Sequence, residues 1–301
     1  MLLPLWDKTG KMGTVIAMKE TQTASLDGIL VIDKPAGMTS HDVIATLRRK
    51  YRQKKFGHTG TLDPDASGVL VILAGKAAKC LQFLPDTDKE YIAELALGSE
   101  TDTDDASGTV VRTAPVNRDF SLDQELKKFE GPLHQQVPTT SAKKIAGRKL
   151  MDYQRKGQEV PAVYTDVTIY DTEVLDEDDL RFRVSCSSGT YIRALCRDLA
   201  RATGNCGHMK SLRRTRAGGF TLEQAEELDA DCHTIHPIER VLETIPAADS
   251  AQVDLSDIRN GRHIRLNTPD DRVLVLDSDG HALAVYDRDH GDVFACARGL
   301  W

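Results

Sequence analysis

The chain has 301 residues, of which 40% are hydrophobic and 28% charged, the balance of a globular protein with its own core. No stretch approaches the ~20 consecutive apolar residues of a membrane-spanning helix, and the first residues lack the basic-then-apolar order of a signal peptide. We therefore expect a cytoplasmic protein without a membrane partner. Six cysteines with no Cys-x-x-Cys pair argue against a disulfide framework or a zinc knuckle and favour reduced thiols.

The net charge of −7 argues at first against a nucleic-acid partner, but the charges are unevenly distributed. Three basic runs contain no acidic residue: RRKYRQKK (48–55), KKIAGRK (143–149) and KSLRRTR (210–216). The acidic residues gather elsewhere, for example in TDTDD (101–105). A single basic run is typical of a solvated helix face, whereas three in an acidic protein favour a localised anion-binding surface.

The first part of the chain begins with an extension and then forms a strand and a helix. Residues 1–27 are polar and weakly patterned, so we expect them to be flexible. GILVIDKP (28–35) is typical of a strand that ends at a proline turn. Residues 40–53 predict a helix capped by Ser40. Its apolar face consists of Val43, Ile44, Leu47 and Tyr51.

The middle of the chain begins with a glycine-punctuated loop, predicted over 56–68, and a short apolar strand over 69–73. Residues 91–98 alternate between apolar and polar side chains as a strand does. Residues 121–130 have the spacing of a helix.

The second half of the chain predicts a hairpin formed by 163–172 and 180–189, followed by a helix over 190–204 that ends at Gly204. A connector over 236–250 leads to three short strands at 272–277, 282–287 and 292–297. Strands and helices are mixed without a regular βαβ alternation, so we predict an α+β fold.

The local sequence that is most unusual is GHTGTLDP (57–64). Its two glycines permit backbone angles closed to other residues, and Pro64 fixes the turn after the acid, so the loop can project Asp63 into a cleft. The Gly-Lys-Ser/Thr of a phosphate-binding loop is absent. On these residues alone, an Asx turn in which Asp63 only bonds its own backbone is favoured over a catalytic role.

Six stretches in the same order carry a resemblance to a known family. They are GILVIDKPAGMTSHDV, GHTGTLDPDASGVLVILAGKAAK, DKEYIAELALGSETDTDDASG, GRKLMDYQRKGQEVP, SCSSGTYIRALCRDLA and KSLRRTRAGGF. In these stretches the chain resembles the bacterial B-type tRNA pseudouridine synthases, which act on uridine 55 in the T arm of tRNA. The resemblance implies a catalytic domain over 28–235 with a mixed or antiparallel sheet. It also implies a small β-rich, PUA-like RNA-binding module over 250–301.

The resemblance implies that the enzyme converts uridine to pseudouridine without a cofactor or a metal. Asp63 matches the family nucleophile, which attacks either C1′ of the ribose or C6 of the uracil. The N1–C1′ bond breaks, the base turns while it is held, and C5 bonds to C1′. Arg193 matches the arginine that pairs with this aspartate. Without the family match, Arg193 would be taken for an ordinary charge on a helix surface.

Further site residues carry over from the family to the substrate pocket. Tyr91 matches the tyrosine that stacks on the target base and is a candidate for proton transfer, while Tyr191 and Leu212 match residues that line the pocket. His58 matches the histidine that fills the gap left by the flipped uridine, although a lone histidine is more often structural. Lys34 matches an element that shapes the floor of the site, for which a structural role is an equal alternative.

The implied partner is tRNA, with the T stem-loop as the bound part and no obligate protein partner. The basic runs 48–55 and 210–216 would then contact phosphates while the pocket selects the base. NGRHIRL (260–266) fits a glycine turn of the terminal module. Two departures stand out: residues 1–27 have no family counterpart, and Thr140 stands where most members carry a tyrosine.

Three other functions remain as alternatives. A non-catalytic RNA-binding or tRNA-folding protein on the same fold would keep the basic runs without needing Asp63. A carboxylate-based hydrolase would use Asp63 with Asp65, but two carboxylates that flank a proline rarely face one cleft at the spacing that hydrolysis needs. A metal site at Cys206 and His208 would rest on a Cys-x-His spacing that is usually accidental.

Overall fold

The computed structural model describes residues 5–6, 12–13, 25–84, 88–141, 143–145, 147–155, 158, 160–249 and 253–301. The strands are β1 Leu5–Trp6, β2 Met12–Gly13, β3 Gly28–Lys34, β4 Phe56–His58, β5 Ser67–Ala74, β6 Lys89–Leu97, β7 Ser99–Thr101, β8 Val110–Thr113, β9 Gly131–Gln136, β10 Lys144–Ile145, β11 Arg148–Lys149, β12 Tyr164–Asp176, β13 Arg181–Cys186, β14 Gly207–Ala217, β15 Phe220–Thr221, β16 Glu226–Glu227, β17 Ala247–Asp249, β18 Ile264–Arg265, β19 Arg272–Leu276, β20 Ala282–His290 and β21 Val293–Gly299. The helices are α1 Ser40–Lys50, α2 Leu122–Lys127, α3 Leu150–Arg155, α4 Ile192–Ala202 and α5 Leu255–Arg259. Most of the predicted extension 1–27 lies outside the described residues.

The core of the molecule is a ten-stranded sheet with the order β16-β3-β5-β14-β6-β13-β12-β9. Strand β15 pairs with β14, and β4 pairs with β5. The β14–β5 and β16–β3 pairs are parallel, and the other pairs of this sheet are antiparallel. The predicted α+β fold with a mixed sheet is therefore confirmed.

Both faces of the sheet are buried at β3 and β5, because their apolar side chains alternate between two cores. One face packs against α1 and α4, in a cluster that includes Leu30, Ile72, Leu47 and Leu195. The opposite face packs against the C-terminal strands, in a cluster that includes Ile29, Val71, Leu274 and Val285. The two long helices, α1 and α4, thus cover one face of the sheet.

Helix α1 begins one residue earlier than predicted, because Thr39 and not Ser40 is its cap. The Thr39 hydroxyl accepts from the Asp42 amide at 3.1 Å, and the Asp42 carboxylate accepts from the Thr39 amide at 2.9 Å, which completes a capping box. Ser40 is buried and instead exchanges hydrogen bonds with Leu62, at 2.9 and 3.1 Å. The start of α1 therefore holds the loop that carries Asp63.

The predicted loop over 56–68 is shorter in the structure. Phe56–His58 forms β4, which pairs antiparallel with the end of β5, and Phe56 is buried in the core. The strand thus forms because the aromatic ring has a core position to fill. Residues 59–66 form the irregular segment that remains between β4 and β5. We call this segment the catalytic loop, after the role predicted for its residue Asp63.

The remaining elements follow the prediction closely. The hairpin is β12–β13, and the helix predicted over 190–204 is α4, after which Gly204 has a φ of +75°. The three predicted terminal strands are β19, β20 and β21, in a five-stranded sheet with the order β17-β19-β20-β21-β18. The predicted connector contributes the edge strand β17 to this sheet. None of the helices in the described part of the chain has the length and apolar composition to cross a membrane.

Candidate active site

The catalytic loop runs between β4 and β5 and is held by hydrogen bonds to its backbone carbonyls. The Pro64 carbonyl accepts from the amides of Gly37 and Met38, and the Asp63 carbonyl accepts from the Ala66 amide at 3.2 Å. The Asp63 side chain remains 36% exposed. The loop therefore leaves the Asp63 carboxylate partly open to solvent while hydrogen bonds hold the backbone at Asp63 and Pro64.

Asp63 and Arg193 lie together, as the resemblance implied. The Arg193 Nε is 3.0 Å from one carboxylate oxygen of Asp63, and its Nη2 donates to the other at 3.3 Å. The arginine side chain is only 7% exposed and comes from the second residue of α4. This two-point contact fixes the orientation of the carboxylate, and charge-assisted pairs of this kind are stronger than neutral hydrogen bonds.

Arg193 is itself held by three further groups. Its Nη1 donates to the Thr103 carbonyl at 2.9 Å and to the Thr140 hydroxyl at 2.8 Å, and lies 3.5 Å from the Asp105 carboxylate. Thr140, the family departure, thus contacts the arginine that orients Asp63. The acidic run TDTDD and the Thr140 departure were the sequence signals for this part of the site.

Tyr91 lies on β6 beside Arg214 of β14 and is only 6% exposed. Burial raises the pKa of its hydroxyl, and the Arg214 guanidinium acts in the opposite direction. The hydroxyl is therefore protonated at neutral pH. Only a small part of the ring is open to a stacking base in this structure, so its stacking role stays a prediction.

Tyr191 and Leu212 flank this region from two different elements. Tyr191 is half-buried and forms the N-cap position of α4, and its amide and carbonyl both bond the buried Gln135 side chain, at 2.8 and 3.1 Å. Leu212 is buried on β14 opposite Ala93. Both side chains belong to the elements that carry Arg193 and Arg214, and their substrate contacts stay predictions.

His58 is half-buried at the end of β4, and its Nδ1 atom is buried with no hydrogen-bond partner among the described residues. Burial lowers the pKa of this imidazole, and the nearby Arg214 and His41 charges lower it further. The ring is therefore neutral at neutral pH, which suits a side chain that must enter an RNA stack. Its insertion into the RNA stays a prediction.

Lys34, predicted to shape the floor of the binding site, is buried and bonds backbone carbonyls, so its substrate contact stays a prediction. It is 0% exposed, and its ammonium donates to the carbonyls of Pro35 at 2.8 Å, Met38 at 2.5 Å and Pro64 at 2.9 Å. Burial lowers the pKa of this ammonium. Lys34 joins β3 to the catalytic loop, which is the structural alternative.

The basic run 210–216 is not a free phosphate-binding surface, because most of its charges have partners. Arg214 is buried, Arg213 pairs with Asp33 at 2.6 Å, and Lys210 pairs with Glu94 at 3.2 Å. In the run 48–55, by contrast, four side chains are exposed and form no ion pair with any described carboxylate. They are Arg49, Arg52, Lys54 and Lys55. The run 143–149 falls partly outside the described residues.

The metal-site alternative at Cys206 and His208 gains no support from the group of metal-type ligands in the described residues. Within the described ranges, the group of three metal-type ligands is Asp277, Asp279 and His281, in an exposed turn of the C-terminal sheet. It includes neither Cys206, which is buried, nor His208, whose Nδ1 bonds the Ser99 carbonyl at 2.9 Å.

Comparisons with known proteins agree on one family. The family model described as TruB family pseudouridylate synthase (N terminal domain) matches residues 48–192, and that of the tRNA pseudouridylate synthase B C-terminal domain matches residues 193–257. The tRNA pseudouridine synthase B of Caldanaerobacter subterraneus subsp. tengcongensis is 40% identical over 270 residues, covering 87% of this chain and 94% of that protein. The protein of the same name from Geobacillus thermodenitrificans is 38% identical over 285 residues, with the same coverage of 87% and 94%.

A solved structure shares the fold at lower identity. A chain in the crystal structure of the archaeal box H/ACA sRNP Nop10-Cbf5 complex aligns with a TM-score of 0.63 and 23% identity, covering 91% of this chain and 86% of that chain. This similarity concerns the fold alone. The two family matches and the relatives with near-complete coverage together show that the chain belongs to the TruB family of pseudouridylate synthases.

Proposed function

We propose that this protein isomerises uridine to pseudouridine at position 55 in the T-arm loop of tRNA, with Asp63 as the nucleophile and without a cofactor. The names of the relatives support the reaction and the class of RNA. The observation that carries the assignment to Asp63 is its two-point contact with the buried Arg193, which holds a solvent-facing carboxylate in one orientation.

The reaction is an isomerisation, so no atom has to come from a second substrate. The Asp63 carboxylate attacks C1′ of the ribose or C6 of the uracil, and the N1–C1′ bond breaks. The base turns while it is held and C5 bonds to C1′. The bond between Asp63 and the ribose or uracil carbon breaks to return the free carboxylate, and the product carries a proton on N1 in place of the one lost from C5. Arg193 keeps the attacking oxygen in place, and such positioning supplies a large share of enzymatic rate acceleration.

The uridine has to leave the folded T loop before Asp63 can reach it. Tyr91, Tyr191 and Leu212 form an apolar slot for the flipped base, and His58 occupies the gap that the base leaves. Tyr191 directly precedes α4, which carries Arg193, and His58 ends the strand that leads into the loop with Asp63, which supports one shared pocket. A neutral His58 enters such a gap without bringing a charge into the base stack.

The phosphates of the T stem-loop are bound by exposed basic residues in the last turn of α1 and just after it. We define the α1 basic patch as Arg49, Arg52, Lys54 and Lys55. Its charges are free of ion pairs with the described carboxylates, so they are available to replace counterions of the RNA. The patch lies just before β4 in the chain and therefore close to the catalytic loop.

The test follows the proton that leaves C5. Unmodified tRNA transcript with tritium at C5 of uridine is incubated with excess enzyme, without added metal or nucleotide, and tritium release to water is measured. The wild-type protein should release the label, and Asp63→Asn should not, while both bind the transcript in a filter-binding assay. Asp65→Asn is the matched control, because this exposed carboxylate lies in the same loop two residues away.

Each outcome separates the alternatives. Release by the wild type and by Asp65→Asn, but not by Asp63→Asn, agrees with the proposal. Binding without release by any variant would favour the non-catalytic RNA-binding protein. Equal loss of release in both aspartate variants would point to a carboxylate pair and would contradict a single nucleophile.

A further inference from the structure

Arg214 is a buried cation that contacts the backbone of the catalytic loop. It lies on β14, and its side chain is only 1% exposed. Its Nε donates to the Val69 carbonyl at 2.7 Å, its Nη1 to the Thr61 carbonyl at 3.3 Å, and its Nη2 to the Gly60 carbonyl at 3.2 Å. Among the described residues no carboxylate forms an ion pair with it. The guanidinium is thus held by carbonyl dipoles from the loop and from the strand that follows it.

The contacts of Arg214 complete a continuous row of bonded carbonyls through the loop. Arg214 takes the first two, at Gly60 and Thr61, and Ser40 takes the next, at Leu62. The Asp63 carbonyl is bonded by Ala66, and that of Pro64 by Lys34. Two buried cations therefore hold the two ends of the segment that carries Asp63.

A glycine on β5 allows Arg214 and its strand to approach the loop closely. Arg214 pairs in parallel with Gly68, whose φ is +107°, and a Cβ on Gly68 would lie 2.1 Å from the Arg214 carbonyl oxygen. A side chain at position 68 would force β14 away from β5 and draw the guanidinium out of the loop. The glycine thus serves the close approach of the two strands.

Arg214 also acts on the tyrosine predicted to take part in the chemistry. It lies directly opposite Tyr91 in the β14–β6 register, and the two side chains interact electrostatically. A guanidinium has only donors, so a bond between them makes the tyrosine oxygen the acceptor. The phenolic hydrogen then points away from Arg214.

Burying a cation without a carboxylate partner is costly, so an arginine kept at such a position serves a purpose beyond packing. The planar fork of its guanidinium matches the task of bonding several fixed acceptors at once. We propose that Arg214 is a positioning residue for the isomerisation: it fixes the loop that carries Asp63 relative to the Tyr91 hydroxyl. This inference rests on the proposed function, and it replaces the phosphate-binding role first predicted for this basic run.

The test compares Arg214→Gln and Arg214→Lys with the wild type in single-turnover tritium release and in tRNA filter binding. Glutamine removes the charge and two of the three donor positions, and lysine keeps the charge but loses the fork. We expect Arg214→Gln to slow release by about 100-fold, the loss that a misplacement of about 1 Å produces. Arg214→Lys should recover part of the rate. In both variants the dissociation constant for tRNA should change by less than about 3-fold, because the buried Arg214 is not accessible to RNA.

The matched control is Arg183→Gln, on the strand next to Tyr91. Arg183 forms ion pairs with Glu90, Asp171 and Glu173 at 2.8 to 3.1 Å, and it does not touch the catalytic loop. Its loss removes more ion pairs than the loss of Arg214 does. Single-turnover release by the control should nevertheless remain within about 3-fold of the wild type, since rate loss follows misplacement at the reacting groups.

A double-substitution cycle tests whether Arg214 acts through Tyr91. Arg214→Lys, Tyr91→Phe and the double variant are compared, and coupled residues should lose less rate together than the product of their single losses. Independent, multiplying losses would contradict action through the tyrosine.

Three other results would overturn part or all of the proposal. Wild-type release by both Arg214 variants would remove the positioning role alone. Loss of tRNA binding in step with the rate in both variants would reduce Arg214 to a support of the fold. No release by the wild type itself would overturn the proposed function as well.

Discussion

Replacing Arg193 by methionine is the most informative single perturbation of the site. Methionine keeps much of the length of the side chain and has no donor. The substitution removes the two-point contact with Asp63 and leaves the Thr103 carbonyl, the Thr140 hydroxyl and the Asp105 carboxylate without their cationic partner. Stability and catalysis should both suffer, for separate reasons.

The expected loss of stability follows from the burial of the two partners. Removing one member of a buried ion pair costs about 3–5 kcal/mol. We expect the lower end, about 3 kcal/mol, because Asp63 is 36% exposed and regains water. With roughly 2–4 °C per kcal/mol in larger domains, Tm should fall by roughly 6–12 °C. Asp63→Asn should cost less, since it leaves the buried cation with its three other partners.

The assay is thermal unfolding at neutral pH, combined with single-turnover tritium release at a temperature where every variant is folded. Arg201→Met is the control, because Arg201 lies two turns further along α4, is 49% exposed, and pairs with Glu100 at 3.2 Å. Glu100 keeps Arg112 as a second partner at 3.5 Å, so removing the exposed Arg201 should cost clearly less than removing the buried Arg193. An Arg193→Met protein with the stability of this control, or with wild-type release, would refute the account of how Asp63 is held.

Three further predictions concern the cap, the RNA surface and pH. Thr39→Ala should lower the stability of α1 by about 1 kcal/mol with little effect on release, whereas Ser40→Ala should also slow release because its hydroxyl bonds the catalytic loop. Lys54→Ala should reduce the slope of log affinity against log salt by roughly 0.7–0.9, and Lys210→Ala, whose charge is paired, by clearly less in the same titration. Burial lowers the pKa of His233 in the folded state, so below pH ~6.5 the unfolded state binds more protons than the folded state. Urea titrations should therefore show the free energy of unfolding falling as pH drops through that value, and this fall should be smaller in His233→Gln.

The elements that local patterns describe well were predicted well. The 3.6-residue spacing located α1 and α4, and alternation located β6, because one face of each is buried against the same core. The cap of α1 was placed one residue late, since Thr39 and Ser40 both carry hydroxyls. Asp42, three residues after Thr39, decides between them by closing the capping box.

Buried charges were the main failure of prediction from sequence. Lys34 and Arg214 are charged, and side chains of this kind are almost always exposed unless they are paired. The Pro64 carbonyl that Lys34 bonds is 30 positions away in the chain, and the Thr61 and Gly60 carbonyls that Arg214 bonds are 153 and 154 positions away, which no local pattern contains. The contacts that hold Arg193 have the same origin, because Thr103 and Thr140 are 90 and 53 positions away.

The measurement that tests the central claim most directly is the position of the product in the RNA. Unmodified tRNA transcript is incubated with wild-type protein or Asp63→Asn, and pseudouridine is mapped by chemical labelling and primer extension, with a transcript carrying cytidine at position 55 as the control. We predict one pseudouridine at position 55 with the wild type, and none with Asp63→Asn or with the control transcript. Pseudouridine made by Asp63→Asn, or none made by the wild type, would contradict the account.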